Sequence, residues 1–323
     1  MADSTYQLIA IIIYLLGMIA IGYYGYKKTD DLDDYMLGGR RLSALTSALS
    51  AGASDMSQWL LMGLPGALYV AGLVEAWIAI GLTIGQYLNW MFVAPRLRTY
   101  TQVSNNSITI PSFFDNRFKK NAKMLRIISG IIIFIFFSVY VSSGLVAGGV
   151  FFESAFGYPY YVGLLVVGLV TIAYTFIGGF LAVSYTDVVQ GTMMFLTLLL
   201  VPILTLCAIG GVGEATAIIR SAKPEMLSLF ATASAPVVIS NLAWGLGYFG
   251  QPHIIVRFMA IKSVKETTKA RRIGIGWMIL SLGGAIVTGL LGFAYLGDSL
   301  ENAETVFIVL GQTFFHPFIA GFM

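Results

Sequence analysis

The chain has 323 residues, of which 57% are hydrophobic and only 11% charged. A soluble domain carries about a quarter charged residues, so a water-soluble globule is excluded and a polytopic protein of the lipid bilayer is expected. One cysteine, Cys207, excludes a disulfide framework or thiolate cage, two distant histidines, His253 and His316, exclude a zinc site, and a net charge of +3 says little until the charges are placed along the chain.

Apolar runs of about twenty residues predict spans near 6–26, 43–72, 74–96, 125–155, 160–182, 187–210, 234–257 and 273–297. The first run is long enough to span and is followed by no small-residue cleavage pattern, so it is expected to be a retained helix. Asp30, Asp31, Asp33 and Asp34 after it read as solvated loop charges. A ninth run begins near Val306 and reaches Met323 without a charged flank, and the chain is therefore expected to be a fragment.

Lys27, Lys28, Arg40 and Arg41 follow the first span. Arg96, Arg98, Arg117, Lys119, Lys120, Lys123 and Arg126 follow the third, and Arg257, Lys262, Lys265, Lys269, Arg271 and Arg272 follow the seventh. Thus 17 of the 19 basic residues lie in alternate loops, with only Arg220 and Lys223 on the other side. The positive-inside rule puts the N-terminus outside and those three loops in the cytoplasm.

Two spans contain breaks. Span 2 reads SALSAGASDMSQWLLMGLPGALYVAG, with Gly52 expected to weaken the helix just before Asp55, and Gly63 and Pro65 as a second soft point. Span 7 reads SNLAWGLGYFGQPHIIVRFM, with Gly245, Gly247, Gly250 and Pro252 within eight residues. Interrupted helices survive in a bilayer where they line a cavity. These two lie five spans apart in opposite orientations, the pattern of a secondary transporter with inverted five-helix repeats. One transporter domain is expected over 1–323: a leading helix 6–26, a first repeat 43–210 and a partial second repeat 234–323. The glycine pairs Gly81/Gly85 and Gly144/Gly148 read as close helix packing. Gly245–Gly250 spells GxGxxG, but no strand or βαβ unit frames it, so no dinucleotide site follows and no nucleic-acid partner is expected.

Around the first break, Ser54, Asp55, Ser57 and freed carbonyls offer only oxygen donors, which suit sodium better than a transition metal. A proton carried by Asp55 is the competing coupling ion. Trp59 lies four residues beyond Asp55, and Trp244, Tyr248 and Pro252 repeat every four residues, predicting one aromatic helix face as the wall of a site for a small, partly apolar solute. Tyr140 joins Ser138, Ser142 and Ser143 in a polar patch of span 4. Asp187, after Ser184-Tyr-Thr186, is read either as the cap of the sixth helix or as a lining of the inner ion path. No nucleophile with a base, metal cluster or phosphate loop suggests an enzyme, and no filter or charge ring suggests a channel.

The stretches GGRRLSALTSALSAGASDMSQWLLMGLPGALY, YTFIGGFLAVSYTDVVQ and WGLGYFGQPHIIVRFMA resemble the solute:sodium symporter family, and in it the bacterial branch that carries proline. The resemblance implies an all-α, LeuT-type fold with an extra leading helix and a truncated second repeat, no cofactor, and one sodium ion moving inward with L-proline across the inner membrane. By the same resemblance, Ala53 and Met56 would give carbonyls to sodium while Ser54, Asp55 and Ser57 keep that site competent. Trp59, Gly63, Tyr140, Trp244, Tyr248 and Pro252 would surround proline, and Arg40 would assist coupling. The family's remaining sodium ligands, a Ser-Thr pair in the ninth span, lie beyond Met323. A symporter for another amino acid, a vitamin or a sugar, or a transporter-like sensor, are the alternatives.

Overall fold

The computed structural model describes residues 3–118, 122–231 and 233–323; Lys119 and Lys120 of the second basic loop lie outside them. The described residues are almost entirely helical. Five helical stretches are long and apolar enough to cross a membrane, beginning at Thr5, Gly63, Ala122, Tyr160 and Val264, and shorter apolar helices cover Ala235–Phe249 and Ala303–Phe314.

The leading span is α1 (Asp3–Tyr26), followed by the short α2 (Leu32–Leu37). Three of the four acids that follow α1, two of them in the first turn of α2, have structural partners. Asp31 caps α2 by accepting from the Asp34 amide, Asp33 accepts from Asn106, and Asp34 pairs with Arg41 at 2.7 Å. Span 2 is split into α3 (Ala44–Met56), a 3₁₀ turn over Ser57–Leu60, and α4 (Gly63–Ala71). Span 3 runs through α5 (Ala76–Leu88), a π turn at Asn89–Val93, and α6 (Ala94–Val103). After α7 (Ile110–Arg117) comes the long α8 (Ala122–Phe156).

Spans 5 and 6 form one 50-residue element, α9 (Tyr160–Ile209), without the loop expected at 183–186. The chain instead kinks at Gly179, with φ +58° and ψ −153°, a conformation essentially reserved for glycine. Tyr35 of α2 caps the kink from below, its hydroxyl 3.2 Å from the Phe176 carbonyl. The cluster Ser184-Tyr-Thr-Asp187 does not mark a turn because its hydroxyls bond back to the helix, Ser184 to the Phe180 carbonyl and Thr186 to that of Val183, both at 2.8 Å.

The rest comprises α10 (Val212–Ala222), then span 7 as α11 (Ala235–Ala243), a 3₁₀ segment Trp244–Phe249 and α12 (Pro252–Ala260). Next come α13 (Val264–Leu296), α14 (Val306–Phe314) and α15 (Pro317–Ala320). The helix of span 8 begins at Val264, so Lys265, Lys269, Arg271 and Arg272 ride on its first turns and not in a loop. Small residues let these helices meet closely. A Cβ on Gly52 would enter the ring of Trp277, and one on Gly85 or Gly245 would collide with the carbonyl of the opposite helix.

One contact ties the foot of span 2 to the foot of span 7. The Leu42 amide donates to the Ala260 carbonyl at 3.2 Å, and the Lys262 amide to the Leu42 carbonyl at 2.9 Å. Arg98, buried in α6, adds bonds to the Ile261 carbonyl at 2.6 Å and the Lys262 carbonyl at 3.2 Å. Arg40 donates to the carbonyls of Met259 (2.8 Å) and Ser107 (2.9 Å) and to Asn106 and Thr101. Burial and the neighbouring Arg98 lower Arg40 to about 10, so it stays cationic at neutral pH. Four successive carbonyls, 259 to 262, are thereby satisfied from spans 2 and 3.

Candidate functional site

The break in span 2 falls two residues after Asp55, at Ser57, whose φ is +47°. Gly52 lies inside α3 and serves packing. With ψ at −152°, this serine adopts a backbone conformation otherwise essentially confined to glycine, and such strain collects at functional sites. The Ser57 amide still closes the last helical bond, to the Ala53 carbonyl, before the chain turns.

The two breaks face each other. The Tyr248 hydroxyl donates to a carboxylate oxygen of Asp55, across 193 positions of sequence. Beside that bond, the rings of Trp59 and Trp244 stack with centroids 5.8 Å apart and planes 27° from parallel. Gly63 opens α4 directly under Trp59, where a Cβ would strike the indole. Tyr140 reaches in from α8 and donates to the Ser54 carbonyl at 2.7 Å, with its ring 5.0 Å from that of His253.

Two sequence expectations change. Trp244, Tyr248 and Pro252 do not share one helix face. A 3₁₀ turn has three residues, which sets i and i+4 about a third of a turn apart. Tyr248 is accordingly buried at 1% exposure while Trp244 is 51% exposed, and Pro252 lies past the break at the start of α12. Trp59 and Asp55 lie on opposite sides of the break at Ser57, so their spacing of four is not one helical turn. In span 4, the polar patch around Tyr140 is satisfied within its own helix. Ser138, Ser142 and Ser143 bond to carbonyls of their own helix at 2.7, 2.8 and 2.7 Å.

Asp187 caps no helix, because it lies within α9, buried. Its carboxylate accepts from Arg257 at 3.0 Å, from the Ser50 hydroxyl at 2.6 Å and from the Ser54 hydroxyl at 3.0 Å. Arg257 also donates to those serines, at 3.0 Å to Ser50 and 2.7 Å to Ser54, and to the His253 carbonyl. Spans 2, 6 and 7 thus share one charge-assisted network on the side of the breaks that faces the basic end of the molecule. The hydroxyl of Ser54 is committed to this network, that of Ser57 to Gln58, and the carboxylate of Asp55 to Tyr248.

Sequence reasoning missed Arg257 and Ser50. Arg257 is counted with the inner loop because it closes an apolar run, yet it is 5% exposed. The available signal is its spacing of four from His253, which places both on one face of α12. Also missed were His253, whose two ring nitrogens are buried without a partner among the described residues, and Asn89, whose amide donates to the Tyr248 carbonyl at 2.9 Å. A polar pair in an apolar span, Gln86 and Asn89, is the signal for the latter.

Residues 35–323 match the profile of the Sodium:solute symporter family. The chain belongs to this family. Its Sodium:solute symporter relatives include the high-affinity proline transporter PutP of Bacillus subtilis (strain 168), 59% identical over 309 residues, which covers 95% of this chain and 65% of the relative. The osmoregulated proline transporter OpuE of the same organism is 52% identical, over 98% of this chain and 65% of OpuE. The sodium/proline symporter of Escherichia coli (strain K12) is 48% identical, over 100% of this chain and 66% of that protein. The chain spans just under two thirds of the length of these curated relatives. A solved structure of a Na+-coupled sialic acid symporter in a substrate-bound outward-open state matches with a TM-score of 0.85 and 19% identity, over 98% of this chain and 68% of that one. The likeness establishes the LeuT-type helical fold of an integral membrane protein.

Proposed function

We propose that the complete protein imports L-proline together with sodium across the bacterial cytoplasmic membrane, with the N-terminus outside. The observation that carries the reading is the junction of two broken helices through Asp55–Tyr248 and Trp59–Trp244. An anionic oxygen at a helix break, walled by aromatic rings, suits a hard monovalent cation beside a small apolar ring compound. The 48–59% identical relatives, which are proline transporters and a sodium/proline symporter, support proline as the solute.

In this reading Ala53 and Met56 give carbonyls to sodium, and Asp55 supplies the charge that draws the ion into a low-dielectric site, with Ser54 and Ser57 at its margin. Sodium draws Asp55 away from Tyr248, and the freed hydroxyl, with Trp59, Gly63, Tyr140, Trp244 and Pro252, encloses proline. Asp187 receives the ion on its inward path, and Arg40 couples that path to the feet of spans 2 and 7. The repeats are 43–210 and 234–323, with 6–26 outside them.

Proline uptake by the full-length protein should rise with sodium. Asp55→Asn should abolish that rise by at least about a hundredfold, the scale of a lost charged contact. Uptake driven equally by a pH gradient without sodium would replace sodium with a proton, and stronger competition by another solute would displace proline.

A further inference from the structure

We propose that Asn89 is a positioning residue of the ion site: it fixes the broken segment of span 7, and through it sets the Tyr248 hydroxyl against Asp55. The inference rests on reading Asp55 as the sodium carboxylate. Asn89 is fully buried in span 3, and its side-chain amide donates to the Tyr248 carbonyl at 2.9 Å. That carbonyl belongs to the Trp244–Phe249 segment, where the α-helical ladder of span 7 is interrupted. A 3₁₀ segment has poorer hydrogen-bond geometry than an α-helix and needs outside support to hold one conformation in a bilayer. Asn89 supplies it at the residue whose hydroxyl meets the carboxylate.

Three further features point the same way. Asn89 opens the π turn Asn89–Val93, the widened turn that precedes Pro95, a residue without an amide to give. Gly85, one turn earlier, has no side chain, so the backbone of span 3 touches that of Gly245 in the same break. No other described side chain donates to the Tyr248 carbonyl. Tyr248 is thus gripped at both ends, its carbonyl by Asn89 and its hydroxyl by Asp55, with 1% of it exposed. A residue held in this way transmits a displacement of its backbone directly to its hydroxyl.

The test uses the full-length protein with Cys207→Ser and two readouts. The first is the sodium concentration for half-maximal proline uptake. Asn89→Leu, similar in volume but without a donor, should raise it roughly tenfold, the factor of one hydrogen bond, and Asn89→Leu with Tyr248→Phe should be no worse than Tyr248→Phe alone. The second is the rate at which a short bifunctional maleimide joins Trp59→Cys to Trp244→Cys, which should slow when Asn89→Leu is added. This rate reports the approach of the two breaks whatever the solute is. Should Asn89→Leu fail to reach the membrane, Asn89→Ala, smaller and also without a donor, takes its place in both readouts. Lower uptake with unchanged sodium dependence, effects additive with Tyr248→Phe, or an unchanged cross-linking rate would each overturn the proposal. Slowed cross-linking in a protein whose uptake ignores sodium would retain the positioning role and remove the sodium reading instead.

Discussion

Asp187 and Arg257 carry opposite charges into the interior and meet at 3.0 Å with exposures of 9% and 6%. A buried ion pair costs much of its attraction in desolvation, and it is tolerable when hydrogen bonds occupy the remaining positions. Ser50 and Ser54 do this, each accepting from the guanidinium and donating to the carboxylate. Removing one partner strands the other, at a cost of about 3–5 kcal/mol. Arg257→Gln and Asp187→Asn should each lower the thermal midpoint of the purified full-length protein in detergent. The double substitution should lower it by less than the sum. Simple additivity would mean that the two side chains act independently.

At the level of elements, the break in span 2 and the kink in α9 share one backbone region. Ser57 (φ +47°, ψ −152°) is strained in it, whereas Gly179 (φ +58°, ψ −153°) fills it without cost. A Cβ at Gly179 would stand 2.7 Å from the Tyr35 carbonyl oxygen. Gly179→Ala should therefore cost roughly 1–3 kcal/mol, read as a lower thermal midpoint. An unchanged midpoint would show that α2 shifts freely away from α9. The existence of the spans and the two interruptions were legible from apolar length and from clustered glycine, proline and polar residues. Their positions were not. Gly52 looks like a breaker but seats Trp277, and Ser184–Asp187 looks like a loop but spends its hydroxyls on its own helix and its carboxylate on Arg257.

Across the whole molecule, the basic residues still define one end, although two of them have left the surface. Arg98 and Arg257 are buried as structural donors, while Lys28 and Lys265 remain exposed. In a Cys207→Ser background, Lys28→Cys and Lys265→Cys should react with an impermeant thiol reagent only from the cytoplasmic side. Ser221→Cys, exposed at the end of α10, should react only from outside. The reverse pattern would invert the orientation. The basic end is also where Arg40, Arg98 and the Leu42–Ile261 bridge hold the feet of spans 2, 3 and 7 together.

Taken by itself, the sequence determined that this is a polytopic membrane protein with two interrupted helices, because apolar length and charge placement act locally along the chain. It also carried the family resemblance in three stretches. The partnerships were decided only in the tertiary structure: Asp55 with Tyr248, Asp187 with Arg257, Trp59 with Trp244 and Asn89 with the Tyr248 backbone. Each joins residues at least 70 positions apart, and separation along the chain says nothing about which group meets which. In a low-dielectric interior an unpaired polar group is costly, and only the packing of the helices determines which partner each of these finds.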